Sequence, residues 1–148
     1  YGGVYPVPEA EHTMDTTRIY YLLADVTKGA DSYDKVAPGL ERVARTVNLH
    51  VLAGVPLRNI RLVVVVHGSA TDAVLGANSY LRTFGYDNPH LRLFDQLEEM
   101  EAALYVCGQA WTKRGYEPHQ LVPQVKLAHS AMTVLSDYQQ QGYHVLDF

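Results

Sequence analysis

The sequence predicts one α/β domain: a mostly parallel, five-stranded sheet with helices on both faces, in a three-layer arrangement. Five short aliphatic and aromatic segments alternate with helix-forming segments, and residues 62–66 form an apolar run without any polar alternation. Strands that alternate with helices form parallel sheets. A strand without alternation is typically covered on both faces. Several strand orders satisfy this pattern, so the order stays open.

The first strand and the first two helices follow from local patterns. Residues 18–26 are rich in aromatic and aliphatic side chains, which is typical of a strand. Residues 38–53 carry apolar side chains at helical spacing and a proline in the first turn. The second strand is predicted over residues 60–66. A second helix is predicted to begin near Ser69 and to end at Gly85.

The central part of the chain continues the alternation. Asp95 and Glu98 have the spacing of a capping box, which predicts a short helix that begins at Asp95. Residues 104–107 predict the third strand. A helix is predicted over residues 108–114, and Gly115 closes it.

The last two predicted strands enclose one more helix. Residues 125–128 predict a short fourth strand. Ser130 is a typical N-terminal cap, and apolar residues recur after it at helical spacing as far as Tyr138. Gly142 ends this helix, and residues 143–146 predict the fifth strand.

Composition and charge restrict the class of protein. The chain has 148 residues, 47% apolar and 19% charged, with a net charge of −4. A chain of this length buries roughly two thirds of its unfolded surface, so it folds without disulfides or metals. No basic block exists, and the longest apolar run is too short to span a bilayer. We therefore expect no nucleic-acid partner and no membrane insertion.

Residues 1–17 are predicted to form an extended arm ahead of a single domain over residues 18–148. Two glycines and two prolines among the first eight residues favour a polyproline-like conformation. The sequence begins with Tyr1 rather than Met, which fits either a removed signal peptide or an expression boundary. We expect a periplasmic or otherwise exported protein, with a cytoplasmic location as the alternative.

Two chemically capable side chains close neighbouring strands. His67 follows the second strand and Cys107 ends the third, and each precedes a glycine, Gly68 and Gly108. Ligands bind outside the carboxyl ends of strands in open α/β sheets, and glycine permits close approach to the backbone. Helix amides after Cys107 would stabilise a thiolate. The sequence predicts Cys107 and His67 as catalytic residues beside a ligand site at the two glycines.

Gln109 and Trp111 complete the predicted ligand site, with the Trp111 indole as an aromatic wall one helical turn beyond the thiol. The alternative makes Cys107 a buried structural residue, since free cysteines are among the most buried residue types, and makes His67 a structural histidine.

No cofactor and no metal are expected. The sequence contains no G-x-G-x-x-G motif, Walker loop or nucleophile elbow. The seven histidines form no H-x-H or H-x-x-x-H pair, and the single cysteine cannot build a cysteine-based zinc site alone.

The order and spacing of these motifs resemble the DsrE/DsrF-like family over residues 18–146. The segments that carry the resemblance are residues 63–68, 88–89, 104–109, 115, 121–125, 130–132 and 138–143. The resemblance implies a flavodoxin-like domain that forms a homo-oligomer, a trimer or a hexamer. In some relatives the cysteine matching Cys107 carries sulfur as a persulfide, which implies a sulfur donor or acceptor protein as partner. The chain looks closer to the stand-alone branch, many of whose members have no established activity.

Two departures from the family pattern argue against transfer-RNA thiolation: the arm, and the residues that follow Cys107. The first hypothesis is a thiol-based, sulfurtransferase-like sulfur carrier with Cys107 as persulfide acceptor, assisted by His67. The second is a non-catalytic oligomeric module that binds a small ligand or a protein, in which Cys107 is structural. A third, weaker hypothesis is a redox sensor that forms an intermolecular disulfide through Cys107.

Overall fold

The computed structural model describes residues 1–148 and contains one five-stranded parallel sheet. Three 3-10 turns at Leu57–Asn59, Gly68–Val74 and Pro118–Gln120 supplement the regular elements. In chain order those elements are β1 (Tyr20–Val26), α1 (Pro38–Leu52), β2 (Ile60–Val66), α2 (Ala77–Phe84), α3 (Leu91–Glu99), β3 (Ala103–Cys107), α4 (Gly108–Lys113), β4 (Lys126–Ala128), α5 (Ala131–Gln140) and β5 (His144–Asp147). The predicted α/β fold is confirmed.

The strand order is β4-β3-β2-β1-β5, and all four strand pairs are parallel. The chain adds β2, β3 and β4 on one side of β1 and then returns to add β5 on the other side. Right-handed crossovers place helices on opposite faces when the direction of growth reverses. This reversal explains why α5 alone lies across the sheet from the other helices.

Four helices cover one face of the sheet, which we call the major face. Alternate side chains of the strands and the apolar sides of α1, α2, α3 and α4 form a cluster of 26 buried residues there. Its largest fully buried side chains are Trp111, Tyr80 and Phe94. In α1 the buried positions include Leu40, Val43 and Val47, the spacing that predicted this helix.

One helix, α5, covers the other face, which we call the minor face. Its buried cluster has only six residues: Leu23, Val63, Val65, Cys107, Ala131 and Val134. Three half-buried tyrosines, Tyr105, Tyr138 and Tyr143, pack around this cluster. The hydroxyl groups of Tyr105 and Tyr138 are hydrogen-bonded at 2.9 Å.

The segment between β2 and β3 differs from the prediction at two places. The predicted helix start near Ser69 is wrong, because residues 68–74 form a 3-10 turn and α2 begins only at Ala77. Its predicted end is confirmed, since Gly85 has φ 79°.

The predicted capping box at Asp95 is also wrong. Helix α3 begins at Leu91, so Asp95 lies inside it. The earlier start buries Leu93 and Phe94 in the major-face cluster. It is supported by Asn88, whose side-chain oxygen accepts from the backbone N–H of the cap residue His90 at 2.9 Å. Packing and this hydrogen bond outweigh the local preference of Asp95.

The prediction for α5 is confirmed in its details. The side-chain oxygen of Ser130 accepts from the backbone N–H of Thr133 at 3.1 Å, as an N-terminal cap does. Gly142, with φ 90°, follows the end of the helix. No helix of the protein is both long enough and apolar enough to cross a membrane.

Residues 1–19 form no helix or strand, and the first of them dock on α1. The backbone N–H of Gly2 donates to Oε2 of Glu41 at 2.7 Å. The side chain of Asn48 donates to the carbonyls of Tyr1 and Gly2, at 3.2 and 2.9 Å. Gly2 has φ 62°, and a Cβ there would lie 2.3 Å from the backbone nitrogen of Arg45. Only glycine fits this position.

Candidate functional site

Three reactive side chains lie on the minor face at the carboxyl ends of adjacent strands. Asp25 is in β1, His67 directly follows β2, and Cys107 ends β3. Val66 and Val106 are paired in register, and His67 and Cys107 are the next residues of their strands. The backbone of His67 is still extended, with φ −156° and ψ −169°. Alternation therefore directs both side chains to the face that carries Val65 and Tyr105.

Asp25 and His67 are bonded to each other through Oδ1 and Nε2. Their side chains are 17% and 27% exposed. No arginine or lysine pairs with Asp25, so the imidazole is its only salt-bridge partner in the protein. The other ring nitrogen of His67, Nδ1, has no hydrogen-bond partner and is not a buried atom. It is open to solvent or to a ligand.

Cys107 is a free thiol that is only 7% exposed. It packs in the minor-face cluster with Ala131 and Val134 of α5. Cys107 ends the third strand, as the sequence predicts. Helix α5 shields most of its thiol from solvent. Little of the thiol is therefore accessible to a reagent while α5 stays in place.

The predicted ligand-binding glycines have structural roles. A Cβ on Gly108 would lie 2.3 Å from the carbonyl oxygen of Ala128, because the end of β4 passes against it. Gly68 has φ 58°, and a Cβ there would lie 3.1 Å from the carbonyl oxygen of Thr27. Both glycines permit sharp exits from strands into turns. A ligand at either one stays a prediction.

The other two predicted ligand-binding residues both lie in α4 but differ in burial. Gln109 is exposed, and its side chain donates to the carbonyl oxygen of His129 at 3.1 Å. Trp111 is 1% exposed in the major-face cluster, with its ring centroid 4.9 Å from that of Tyr116. The expected aromatic wall around Cys107 is therefore not formed, since α4 turns the indole into the major face. The tyrosines of the minor face surround the thiol's cluster instead.

A second group of polar side chains lies at the carboxyl ends of β1 and β2, on the major face. A cavity of about 140 Å³ there is lined by Ser69, Asp72, Arg114 and Tyr80 among others. Nε of Arg114 and the hydroxyl of Tyr116 donate to Oδ1 of Asp72, at 2.9 and 2.8 Å. Burial, followed by the nearby Asp72 charge, raises the pKa of Tyr80 to about 12. Hydrogen bonds within this group thus occupy the Asp72 carboxylate.

His90 lines the same cavity as a neutral, fully enclosed imidazole. Its Nε2 accepts from the backbone N–H of Ala37 at 2.9 Å, and its Nδ1 is 2.8 Å from the side-chain oxygen of Asn88. Burial lowers the pKa of His90 to about 4. Both ring nitrogens are thus occupied, and His90 holds the loop before α1 in place.

Asp25 is the site residue that sequence reasoning missed. It lies in a segment read only as an apolar strand, and its partner is 42 residues away. One signal was present: a carboxylate one position before the end of a predicted buried strand. A thiol, an imidazole and a carboxylate on three adjacent strands form the kind of set that serves nucleophilic chemistry.

Comparisons with known proteins agree with this architecture. The family model described as the DsrE/DsrF-like family matches residues 20–148. A solved structure of a protein of unknown function from Methanobacterium thermoautotrophicum superposes with a TM-score of 0.64 at 13% identity, covering 87% of this chain and 99% of that one. No curated protein matches the sequence significantly. The solved structure shows the fold, and the family model, which spans nearly the whole chain, shows that the chain belongs to the DsrE/DsrF-like family.

Proposed function

We propose that the protein is a thiol-based, sulfurtransferase-like sulfur carrier in which Cys107 accepts sulfur as a persulfide. Membership of the DsrE/DsrF-like family supports a role in sulfur relay in general. The observation that carries the finer proposal is the placement of Cys107 and His67. They occupy the same face at the carboxyl ends of neighbouring strands, one residue beyond the paired Val66 and Val106.

The reaction needs no cofactor. His67 takes the proton of the Cys107 thiol, and the thiolate attacks the terminal sulfur of a persulfide donor, R–S–SH. A sulfur–sulfur bond forms at Cys107 while the donor's own sulfur–sulfur bond, between R–S and the transferred sulfur, breaks. The donor leaves as R–S⁻ and receives the proton from His67. The products are the Cys107 persulfide and R–SH, with no net oxidation or reduction.

The test exposes the folded protein to a low-molecular-weight persulfide and measures its intact mass. We expect a gain of one sulfur atom, which dithiothreitol removes. Because Cys107 is the only cysteine, the added sulfur assigns itself to that residue. Cys107→Ser is the matched control and should gain nothing. If the folded native protein gains no sulfur while the urea-unfolded protein does, the sulfur-carrier proposal is wrong.

Alkylation of Cys107 measures how accessible the thiol is. The side chain is 7% exposed, so we expect labelling of the folded protein to be slower than labelling in urea but complete within hours. Labelling that requires global unfolding would follow the free energy of unfolding when denaturant is varied. That dependence would identify Cys107 as a structural residue.

A second candidate function is a non-catalytic oligomeric binding module, and the burial of Cys107 favours it. An open groove of about 480 Å³ runs between α5 and β4, lined by Tyr105, Leu127 and Tyr138 among others. Leu127 is 44% exposed on this edge of the sheet. A second copy or a partner protein would cover these side chains. Under this hypothesis, Cys107→Ser retains both the oligomeric mass and partner binding.

Oligomerisation and location are parts of the proposal with their own measurements. We propose a homo-oligomer, a trimer or a hexamer, that exchanges sulfur with a donor or acceptor protein outside the cytoplasm. Sedimentation at micromolar concentration should give a mass three or six times that of the chain, and a monomeric mass would contradict it. Cell fractionation should recover the protein with periplasmic markers, and recovery with cytoplasmic markers would support the alternative.

A further inference from the structure

We infer that Asp25 is a positioning residue that holds His67 in the one orientation and tautomer that can serve Cys107. The inference rests on the proposed sulfur transfer and adds a residue to it. The Asp25 side chain is a carboxylate that is only 17% exposed and lies beside an apolar cluster. Such a group is destabilising unless it is well bonded. Its only side-chain partner is the imidazole of His67.

The pair is not needed to join the strands. β1 and β2 are already in register over all seven residues of each strand. The backbone N–H of His67 also donates to the carbonyl oxygen of Val26 at 2.9 Å, which ties His67 itself to β1. A further side-chain hydrogen bond at this point adds little to strand pairing. What it does add is a single orientation of the imidazole ring.

The carboxylate also selects the tautomer. An ionised carboxylate only accepts hydrogen bonds, so the proton of the neutral ring lies on Nε2, which faces Asp25. Nδ1 then carries a lone pair. It has no partner in the protein and is not buried. A ring nitrogen with a free lone pair is the group that can accept a thiol proton.

The sheet register places the imidazole and the Cys107 side chain on the same face at the ends of adjacent strands. Both residues leave their strands at the same level. On the other side of Asp25, its register partner Asp147 on β5 is exposed and forms no ion pair. Asp147 is thus a matched carboxylate, because it lies at the same level of the sheet on the neighbouring strand and forms no hydrogen bond or ion pair with the imidazole.

The experiment compares Asp25→Asn with Asp147→Asn. Asparagine keeps the shape of the side chain but can bond to either tautomer. Nitrogen-15 spectra of histidine-labelled protein, with His67 assigned from the His67→Ala spectrum, report which ring nitrogen carries the proton. We expect a single tautomer protonated at Nε2 in the native protein and in Asp147→Asn. In Asp25→Asn we expect a mixture of tautomers.

The rate of persulfide formation on Cys107 is the second readout. We expect Asp25→Asn to lower it about tenfold or more, and Asp147→Asn to leave it unchanged. Asp25→Asn should cause no further loss in the His67→Ala background, because the carboxylate acts only through the ring. A merely structural carboxylate would lower the rate by the same factor in both backgrounds.

The outcomes separate this inference from the proposed function. A native protein that takes up no sulfur overturns both. A native protein that takes up sulfur at the same rate as Asp25→Asn overturns the positioning role alone, as does a native His67 protonated at Nδ1. Circular dichroism of each variant checks that it is folded. Asp25→Glu keeps a carboxylate; if it restores the single tautomer, it should also restore part of the rate of persulfide formation.

Discussion

The two faces of the sheet differ in how much protein covers them. The major face has 26 buried residues under four helices, and the minor face has six under α5 alone. Yet Asp25, His67 and Cys107 all lie on the minor face. The sheet thus separates the larger part of the hydrophobic core from the candidate site residues. Deep cover on one side supplies most of the buried apolar area, and thin cover on the other leaves the side chains of Asp25 and His67 partly exposed.

The largest expected effect comes from a matched pair of leucine truncations. Leu40 of α1 is fully buried on the major face, and Leu135 of α5 is half-buried on the minor face. We expect Leu40→Ala to lower the free energy of unfolding by about 2–5 kcal/mol. Leu135→Ala should cost less than about 2 kcal/mol, because its site can collapse or fill with water. Urea titration of both variants measures this difference in the free energy of unfolding. Equal losses would mean that the two faces contribute equally to stability.

Acidic pH should lower the free energy of unfolding through His90, a buried residue on the major face. Burial lowers the pKa of His90 from 6.5 to about 4, so between these values the unfolded chain binds the proton that the folded protein excludes. The stabilisation is complete above pH 6.5 and is lost as the pH falls towards 4. The loss is about 3 kcal/mol for a shift of this size. Urea titrations at pH 7 and pH 4 measure it.

Two variants assign that loss. His90→Gln should flatten the dependence of stability on pH, and His119→Gln, which changes an exposed histidine, should leave it unchanged. A His119 effect as large as that of His90 would contradict the assignment.

The docked arm adds further cover to the major-face helices, and one glycine controls it. Gly2 has a positive φ and meets the backbone of α1, whereas Gly3 has no atom within 4 Å of an added Cβ. Gly2→Ala should cost about 1–2 kcal/mol of docking and release the arm to proteases. Gly3→Ala should be cleaved at the native rate. Limited proteolysis with mass spectrometry measures both; equal cleavage would mean that the arm docks without this contact.

The smallest expected effect lies on the minor face. Tyr138→Phe removes the hydroxyl that bonds to Tyr105 and should cost about 1 kcal/mol. Tyr143→Phe is the control, because the Tyr143 ring packs on Tyr138 but its hydroxyl forms no hydrogen bond in the protein. Thermal unfolding of the two variants distinguishes them. A Tyr138→Phe loss above about 3 kcal/mol would mean that the minor face is held more tightly than its cover indicates.

Local patterns predicted those elements whose cause is local. The strand Ile60–Val66 was predicted with its observed bounds, because an unbroken aliphatic run fits only a strand covered on both faces. The cap at Ser130 was predictable for the same reason, since its partner Thr133 is three residues away. The start of α3 was not. It depends on the burial of Phe94 and on the side chain of Asn88, which are tertiary effects.

The candidate site divides in the same way. His67 and Cys107 were predictable because each ends a strand, and the ends of parallel strands share one edge. Asp25 was not, because a carboxylate inside a strand acquires meaning only from its neighbour. Trp111 was misplaced because helical spacing gives the distance from Cys107 but not the side of the sheet. The faces of the sheet follow from strand order, which the pattern left open.

The position of β5 beside β1 has a consequence for the timing of folding. β5 follows the other four strands in sequence but pairs with the first of them. The backbone N–H of Phe148 donates to the carbonyl oxygen of Asp25 at 2.8 Å. During synthesis, β1 leaves the ribosome with this edge unpaired, and the edge stays open until residues 144–148 emerge. Pairing over so long a separation slows folding, and an open edge invites pairing with other chains. The strand that holds Asp25 is therefore the last part of the sheet to be closed.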